Sequence, residues 1–316
     1  MHPRNNMKFL PVALVCIAAI AQEGPKPGAK TEPSDPVFST DTRLVVLHAT
    51  VFDKAGKFVT NLPQSAFQVF EDGKLQPIKT FKREDIPVSM GIIVDNSGSM
   101  RDKRQKVEAA ALALVQESNH EDEVFIVNFN DEAYLDTDFT SDIKQMQQGL
   151  TKIDSRGGTA MRDAIRMSID HLKEKGKKDK RVLLIVTDGN DNASQVSLEA
   201  AVRAAQDAET IVFAIGLLSD EERREASKAK RALMTLTEAT GGQAFFPKDV
   251  TEVDRIAHQV ARDIRNQYTI TYSPTNNAMD GTYRQIKVIA MGPNKPIVRT
   301  RSGYYAGKSK APTSSN

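Results

Sequence analysis

Hydrophobic positions along this chain change their period twice. Residues 43–52, Arg-Leu-Val-Val-Leu-His-Ala-Thr-Val-Phe, form a run suited to a β-strand. Asp53-Lys54-Ala55-Gly56 follows as a turn. Phe67 and Val69 alternate with polar Gln68, and Glu71-Asp72-Gly73-Lys74 is a hairpin signal. Residues 77–82 predict a third strand. From Val88 to about Arg265, apolar strands alternate with helical stripes. Strands are expected over 88–94, 124–128, 182–187 and 211–216, with weaker ones over 133–138 and 244–246. Between them, Val107, Ala110, Ala111, Leu114 and Val115 recur at helical spacing, as do Met161, Ile165, Ile169 and Leu172. Further helices are predicted over 197–208, 221–240 and 253–265, the second stopped by Gly241-Gly242. After Asn266 the β pattern returns over 268–272, 283–290, 297–300 and 303–305.

Strands alternating with helices predict a mostly parallel, doubly wound sheet covered on both faces, an α/β fold. Each β-rich flank holds about three strands, near the lower limit for an independent sheet. The two flanks together can close one β-sandwich with the α/β domain inserted between them. The chain thus divides into a signal peptide (1–21), a linker (22–36), an N-terminal β segment (37–86), the α/β domain (87–265), a C-terminal β segment (266–306) and a disordered tail (307–316).

The candidate chemistry lies at the ends of two of these strands. Ile92-Ile93-Val94 runs into Asp95-Asn96-Ser97-Gly98-Ser99. Side chains two apart in an extended segment point the same way, so Asp95, Ser97 and Ser99 converge. One carboxylate and two hydroxyls are hard oxygen ligands of the kind Mg²⁺ or Mn²⁺ takes. Gly157-Gly158-Thr159-Ala160 is a glycine turn before a helix and can bring the Thr159 hydroxyl close. The strand over 182–187 ends in Asp188. Each segment taken singly is also an ordinary strand-to-helix turn, since Ser, Asp and Gly cap helices.

In chain order, Asp95, Ser97, Ser99, Thr159 and Asp188 resemble the metal-ion-dependent adhesion site of the von Willebrand factor type A family. The resemblance implies a type A fold for the central domain. It also implies a divalent ion, Mg²⁺ or Mn²⁺, that captures an exposed Asp or Glu of a protein partner. The whole layout after residue 36 also resembles the VWFA-related family described from acidobacterial proteins. That likeness rests on Gly56 to Leu62, on Phe67 to Lys74, on Tyr272-Ser273-Pro274 and on Gly303-Tyr304-Tyr305-Ala306. It supplies architecture more than function.

Composition narrows the alternatives. A net charge of +2 and the absence of Trp argue against a nucleic-acid binder. Arg4 and Lys8 precede an apolar run over 9–20, too short for a comfortable membrane span, and Ala19-Ile20-Ala21 is a cleavage signal. An exported protein, periplasmic or secreted, with no stable membrane span after cleavage is expected. The one cysteine, Cys16, lies in that run, so the mature chain has no thiol chemistry. The basic stretch over 173–181 reads as a solvated helix end and loop.

No catalytic residues are expected, and the protein is read as a non-enzyme. His48, His120, His171 and His258 read as surface or packing residues, and no Gly-x-Ser-x-Gly elbow or phosphate loop is present. Asp163, Asn190 and Asp191 lie near the motif and fit either a supporting shell or turns and caps. The leading expectation is an exported metal-dependent protein-binding module for adhesion or assembly. The alternatives are a structural cell-envelope component with incidental metal and, last, a metal-dependent hydrolase.

Overall fold

The two changes of hydrophobic period mark two layers of architecture. The computed structural model describes residues 44–83, 85–116, 119–151, 156–218, 223–293 and 295–307. The signal and linker segments expected over 1–36, with His2 and Cys16, lie outside these residues, as does the tail from 308. The N-terminal flank supplies β1 (Val45–Phe52), β2 (Phe67–Glu71), β3 (Lys74–Gln76) and β4 (Ile78–Lys82). The α/β region opens with β5 (Val88–Asp95), α1 (Arg104–Gln116), β6 (Glu123–Phe129), β7 (Ala133–Thr140), α2 (Ile143–Thr151) and α3 (Met161–Lys175). It continues with β8 (Lys180–Thr187), α4 (Leu198–Asp207), β9 (Thr210–Gly216), α5 (Arg223–Thr240), β10 (Ala244–Phe245) and α6 (Val253–Arg265). The C-terminal flank gives β11 (Tyr268–Tyr272), β12 (Tyr283–Ala290), β13 (Ile297–Arg299) and β14 (Gly303–Tyr305).

The central sheet runs β10-β9-β8-β5-β6-β7. Strand β5 pairs in parallel with both β6 and β8, and only β7 is antiparallel to its neighbour. Every residue of β5 is buried, as a strand covered on both faces requires. Its Met90, Ile92 and Val94 pack with α1, α2 and α6, while Ile93 packs with α3, α4 and α5. Gly91 makes room for Phe125, since a Cβ there would lie 2.4 Å from Phe125 Cζ.

The flanks build two antiparallel sheets, β13-β1-β11-β4 and β14-β12-β2-β3. Each mixes strands from both ends of the chain. Leu47 of β1 stands opposite Ile270 of β11, and Val69 of β2 opposite Val288 of β12. Inward residues of both sheets, among them Leu47, Val69, Tyr268 and Val288, form one shared core. The N-terminal flank contributes four strands where three were expected, and the C-terminal flank the four segments that its pattern marks. The added one is β3, which follows the Glu71-Asp72-Gly73-Lys74 hairpin signal, and Pro77, which has no N–H to donate, separates it from β4.

A buried carboxyl ties the two sheets. Glu71 Oε2 accepts hydrogen bonds from the Tyr272 hydroxyl at 2.7 Å and the Tyr304 hydroxyl at 2.8 Å. Burial, and then the Glu71 carboxyl, push the Tyr272 phenol well above its ordinary range. Glu71→Ala removes the carboxylate that accepts from both buried hydroxyls and is expected to cost about 3 kcal/mol. Urea unfolding checks this, and a loss below about 1 kcal/mol would contradict it.

The end of α6 is anchored on several sides. Asp263 is buried; it accepts from Thr50 Oγ1 of β1 at 2.8 Å and pairs with Arg299 of β13. Arg265 pairs with Asp85 at 2.8 Å and with Asp122. Lys180 donates to the Ile264 carbonyl at 2.5 Å, and burial, with Arg265 nearby, pulls its ammonium down to about 7. Lys180 therefore departs from the solvated reading of the basic stretch over 173–181: its stem is enclosed by the fold and its head caps a helix end.

Candidate metal centre

Three parallel strands, β5, β8 and β9, point their carboxyl ends to the same edge of the central sheet. From β5 the chain moves to β6 on one side, and β8 lies on the other, so the crevice between β5 and β8 is a topological switch point. Asp95 ends β5 there and is 1% exposed. Its Oδ1 accepts the Ser97 N–H at 2.8 Å, a local turn that Asp favours. Its Oδ2 accepts the Thr187 hydroxyl at 2.5 Å, from the last residue of β8.

The turn after Asp95 brings the two serines together. Ser97 precedes a 3₁₀ turn at Gly98–Met100. The Ser97 and Ser99 hydroxyl oxygens lie 3.2 Å apart. Ser99 Oγ then donates to Asp188 Oδ1 at 2.8 Å. The Asp188 carboxylate is shielded from solvent and its Oδ2 receives the Lys103 ammonium at 2.5 Å. Ser97 is buried and Ser99 exposed, so the cluster opens to solvent through Ser99.

The loop before α3 supplies the remaining hydroxyl. Gly157 holds φ at +78°, a left-handed conformation suited to glycine, and a Cβ there would strike Asp131. Asp131 Oδ1 accepts the Gly158 N–H at 2.7 Å. Thr159 is buried and donates its N–H to Asn192 Oδ1 at 2.9 Å, while its carbonyl accepts from Asn192 and Ala193. Its hydroxyl lies over Gly189, the neighbour of Asp188, at 3.7 Å from where a Cβ would stand. The structure thus links Asp95, Ser97, Ser99 and Asp188 through hydrogen bonds and places Thr159 against the segment that carries Asp188.

The donor set suits a hard cation. Among the described residues, no group of three or more His, Cys, Asp or Glu side chains is placed to hold a metal ion. The cluster described above combines carboxylates with hydroxyls, hard oxygen donors of the kind a divalent cation such as Mg²⁺ takes. Oxygen–oxygen separations of 3.2 and 2.8 Å bracket the edge of about 2.9 Å between neighbouring ligands in an octahedron with bonds near 2.05 Å. The histidines are elsewhere. His171 stacks on Phe139 at 5.1 Å and its Nε2 lies 2.9 Å from Asp138, and His48 is pushed down to about 3 by burial and then by Lys180 and Arg301.

Burial pushes the Asp95 carboxyl up to about 6, against the bonds from Thr187 and Ser97, and the Asp188 charge adds to the rise. Unfolded, the same group ionises near about 4. In metal-free protein, Asp95 therefore contributes stability below about pH 4 that is lost as pH rises through about 6. A cation needs the ionised form. Apparent Mn²⁺ affinity is expected to fall about tenfold per pH unit below about 6. Titrations at about pH 5 and about pH 7.5 check this, and equal affinities would contradict it.

Of the supporting residues weighed in the sequence, two have turn and cap roles. Asp191 Oδ2 accepts the Arg162 N–H at the start of α3, and Asp163 Oδ1 accepts the N–H of Val196 at 2.9 Å. Asn190 donates to Glu225 at 2.9 Å. Three contributors escape sequence reasoning: Thr187, Asn192 and Lys103. Thr187 sits directly before Asp188, and that adjacency is the one available signal.

Residues 90–190 match a family model described as the von Willebrand factor type A domain. Comparison with curated protein sequences gives no match. Among solved structures, the chain is similar to proximal thread matrix protein 1 from the mussel byssus with a zinc-occupied MIDAS motif, at 14% identity and a TM-score of 0.49. That similarity covers 62% of this chain and 50% of the mussel protein, so the match spans about half the length of that relative. The PilB minor pilin from Streptococcus sanguinis is similar at 13% identity and TM-score 0.46, over 58% of this chain and 63% of the pilin. The vWF domain of the type V pili tip protein Mfa5 from Porphyromonas gingivalis is similar at 13% identity and TM-score 0.46, over 57% of this chain and 97% of that domain.

Proposed function

We propose that this chain is an exported, metal-dependent protein-binding module of the adhesion or assembly kind. The observation that carries the reading is the continuous oxygen cluster of Ser97, Ser99 and Asp188, exposed at Ser99 and placed at the sheet's switch point. Asp95, Ser97, Ser99, Thr159 and Asp188 would hold Mg²⁺ or Mn²⁺, some of them through water, and Asp95 also orders the turn. The ion would supply a positive centre with an open position for a partner's Asp or Glu carboxylate. The Arg156 N–H bonds to the Asn96 carbonyl, which ties the loop before α3 to the turn after Asp95.

The reading is recognition rather than catalysis, because a hydrolase would also need a base beside the metal. The export in this reading rests on the apolar run over 9–20, which has the form of a cleaved signal, and its destination would be the periplasm or the exterior. Among the described residues no helix is long and apolar enough to cross a membrane. The sandwich shared between the flanks fits the layout of the VWFA-related family from acidobacterial proteins. One observation favours the structural alternative: Asp188 already has a cation on it, Lys103.

A displayed-peptide selection tests the function. The full chain is immobilised in Mg²⁺ and bound peptides are eluted with chelator. Enrichment of Asp- or Glu-bearing peptides that Asp188→Ala no longer retains is the expected result. Peptides that stay bound in chelator would favour a structural module instead.

A further inference from the structure

Lys103 is the residue directly before α1, and its ammonium lies 2.5 Å from Asp188 Oδ2. The Asp188 side chain is 0% exposed and that of Lys103 is 30% exposed. With Ser99 on Oδ1, both oxygens of Asp188 are engaged by the protein's own groups. The main chain at Lys103 is fixed, because its N–H bonds to the Met100 carbonyl at 3.0 Å and its carbonyl accepts from Val107 at 3.2 Å. Only the flexible stem has to move for the ammonium to leave. The neighbouring Arg104 cannot exchange roles with it. Arg104 is buried and committed to Asn96, Glu108 and the Leu150 carbonyl.

We infer that Lys103 is a resident counter-ion that competes with the divalent cation for Asp188 and, once displaced, becomes an acid-recognising group at the rim of the site. This rests on the metal-site reading above. In metal-free protein, Lys103 neutralises one of two neighbouring carboxylates. With Lys103 retained, a divalent ion would put three positive charges against the two negative charges of Asp95 and Asp188. Displacement relieves that repulsion but forfeits a charge-assisted bond to a shielded carboxylate. Lys103 thereby weakens metal binding in the absence of a partner. A partner's carboxylate gives the released ammonium a new acceptor, so ion and acidic partner bind better together than either does singly.

The test is Mn²⁺ titration calorimetry on the metal-free full chain, with wild type, Lys103→Met, Lys103→Arg and Asp188→Ala. Melting curves are recorded in chelator and in saturating Mn²⁺. Lys103→Met is expected to bind Mn²⁺ about tenfold more tightly than wild type, and Lys103→Arg close to wild type. Lys103→Met should melt below wild type in chelator and level with it in Mn²⁺. A merely structural lysine would lower both melting points alike. Affinity in Lys103→Met equal to or weaker than wild type, with binding still lost in Asp188→Ala, overturns the role of Lys103 and leaves the metal site standing. No Mn²⁺ binding by either wild type or Lys103→Met overturns both. Should the Met variant fail to melt cooperatively, Lys103→Gln serves in the same comparison.

Discussion

Asp95→Asn is expected to raise the stability of the metal-free protein and to abolish its stabilisation by Mg²⁺. Asp95 sits at the end of a wholly buried strand, and its carboxyl is pushed up to about 6, chiefly by burial. At about pH 8 the group is ionised in both folded and unfolded chains, and the folded state bears the cost of the buried charge. A shift from near 4 to about 6 corresponds to about 3 kcal/mol. Asn keeps a side-chain oxygen that can accept the Ser97 N–H and has no charge to bury. A gain of about 1–3 kcal/mol in chelator is therefore expected. The same change removes one of the site's two negative charges. Wild type at about a hundred times its Kd for Mg²⁺ gains about 2.7 kcal/mol, and the variant gains none. Thermal melts with and without Mg²⁺ check both halves. A variant less stable in chelator, or one still stabilised by Mg²⁺, would contradict the account.

Asp263→Ala is expected to destabilise the whole protein by about 3–5 kcal/mol. Asp263 lies on α6, the last helix of the α/β layer, yet its partners Thr50 and Arg299 belong to the sandwich. Gln267 adds a bond to Thr50 Oγ1 at 3.2 Å, and Arg299 also reaches Gln243 and lies over the Phe52 ring at 4.9 Å. Removing the carboxylate leaves a mostly enclosed guanidinium without its ion pair. The network fastens the two layers together, so both should unfold in one transition and at lower urea. Asp263→Asn keeps an acceptor and should lose less. A loss below about 1 kcal/mol in the Ala variant would show that the network contributes little.

The legible parts of the fold were those where pattern and burial coincide. Strands β5 and β8 are unbroken apolar runs because both of their faces are covered. The helices α1, α3 and α6 repeat apolar residues on one stripe because one face meets the sheet. Helix α2 was not legible. Its Met146 and Leu150 are buried, but Gln-rich surroundings and an interior glycine hide the stripe. That glycine is Gly149, and a Cβ there would lie 2.0 Å from Thr137 Oγ1, a constraint set by tertiary packing. The sandwich was legible as a need, since neither flank suffices alone. Its register was not, because β11 inserts between β1 and β4 through contacts distant in sequence.

The site divides the same way. Asp95, Ser97 and Ser99 announce themselves by alternation at a strand end, and Asp188 by its place after an apolar strand. Lys103 was hidden in a basic stretch where any of Arg101, Lys103, Arg104 or Lys106 could have turned inward. Nothing in the sequence marks Asn192, whereas its side chain holds the Thr159 backbone. Its role depends on two loops meeting in space, which a single sequence does not display.

The most direct test of the central claim is a calorimetric titration of the metal-free full chain with Mn²⁺, beside Asp188→Ala. The account predicts saturable binding of one ion per chain that the variant loses while still melting cooperatively. Absence of binding in the wild type, or unchanged binding in Asp188→Ala, would contradict it.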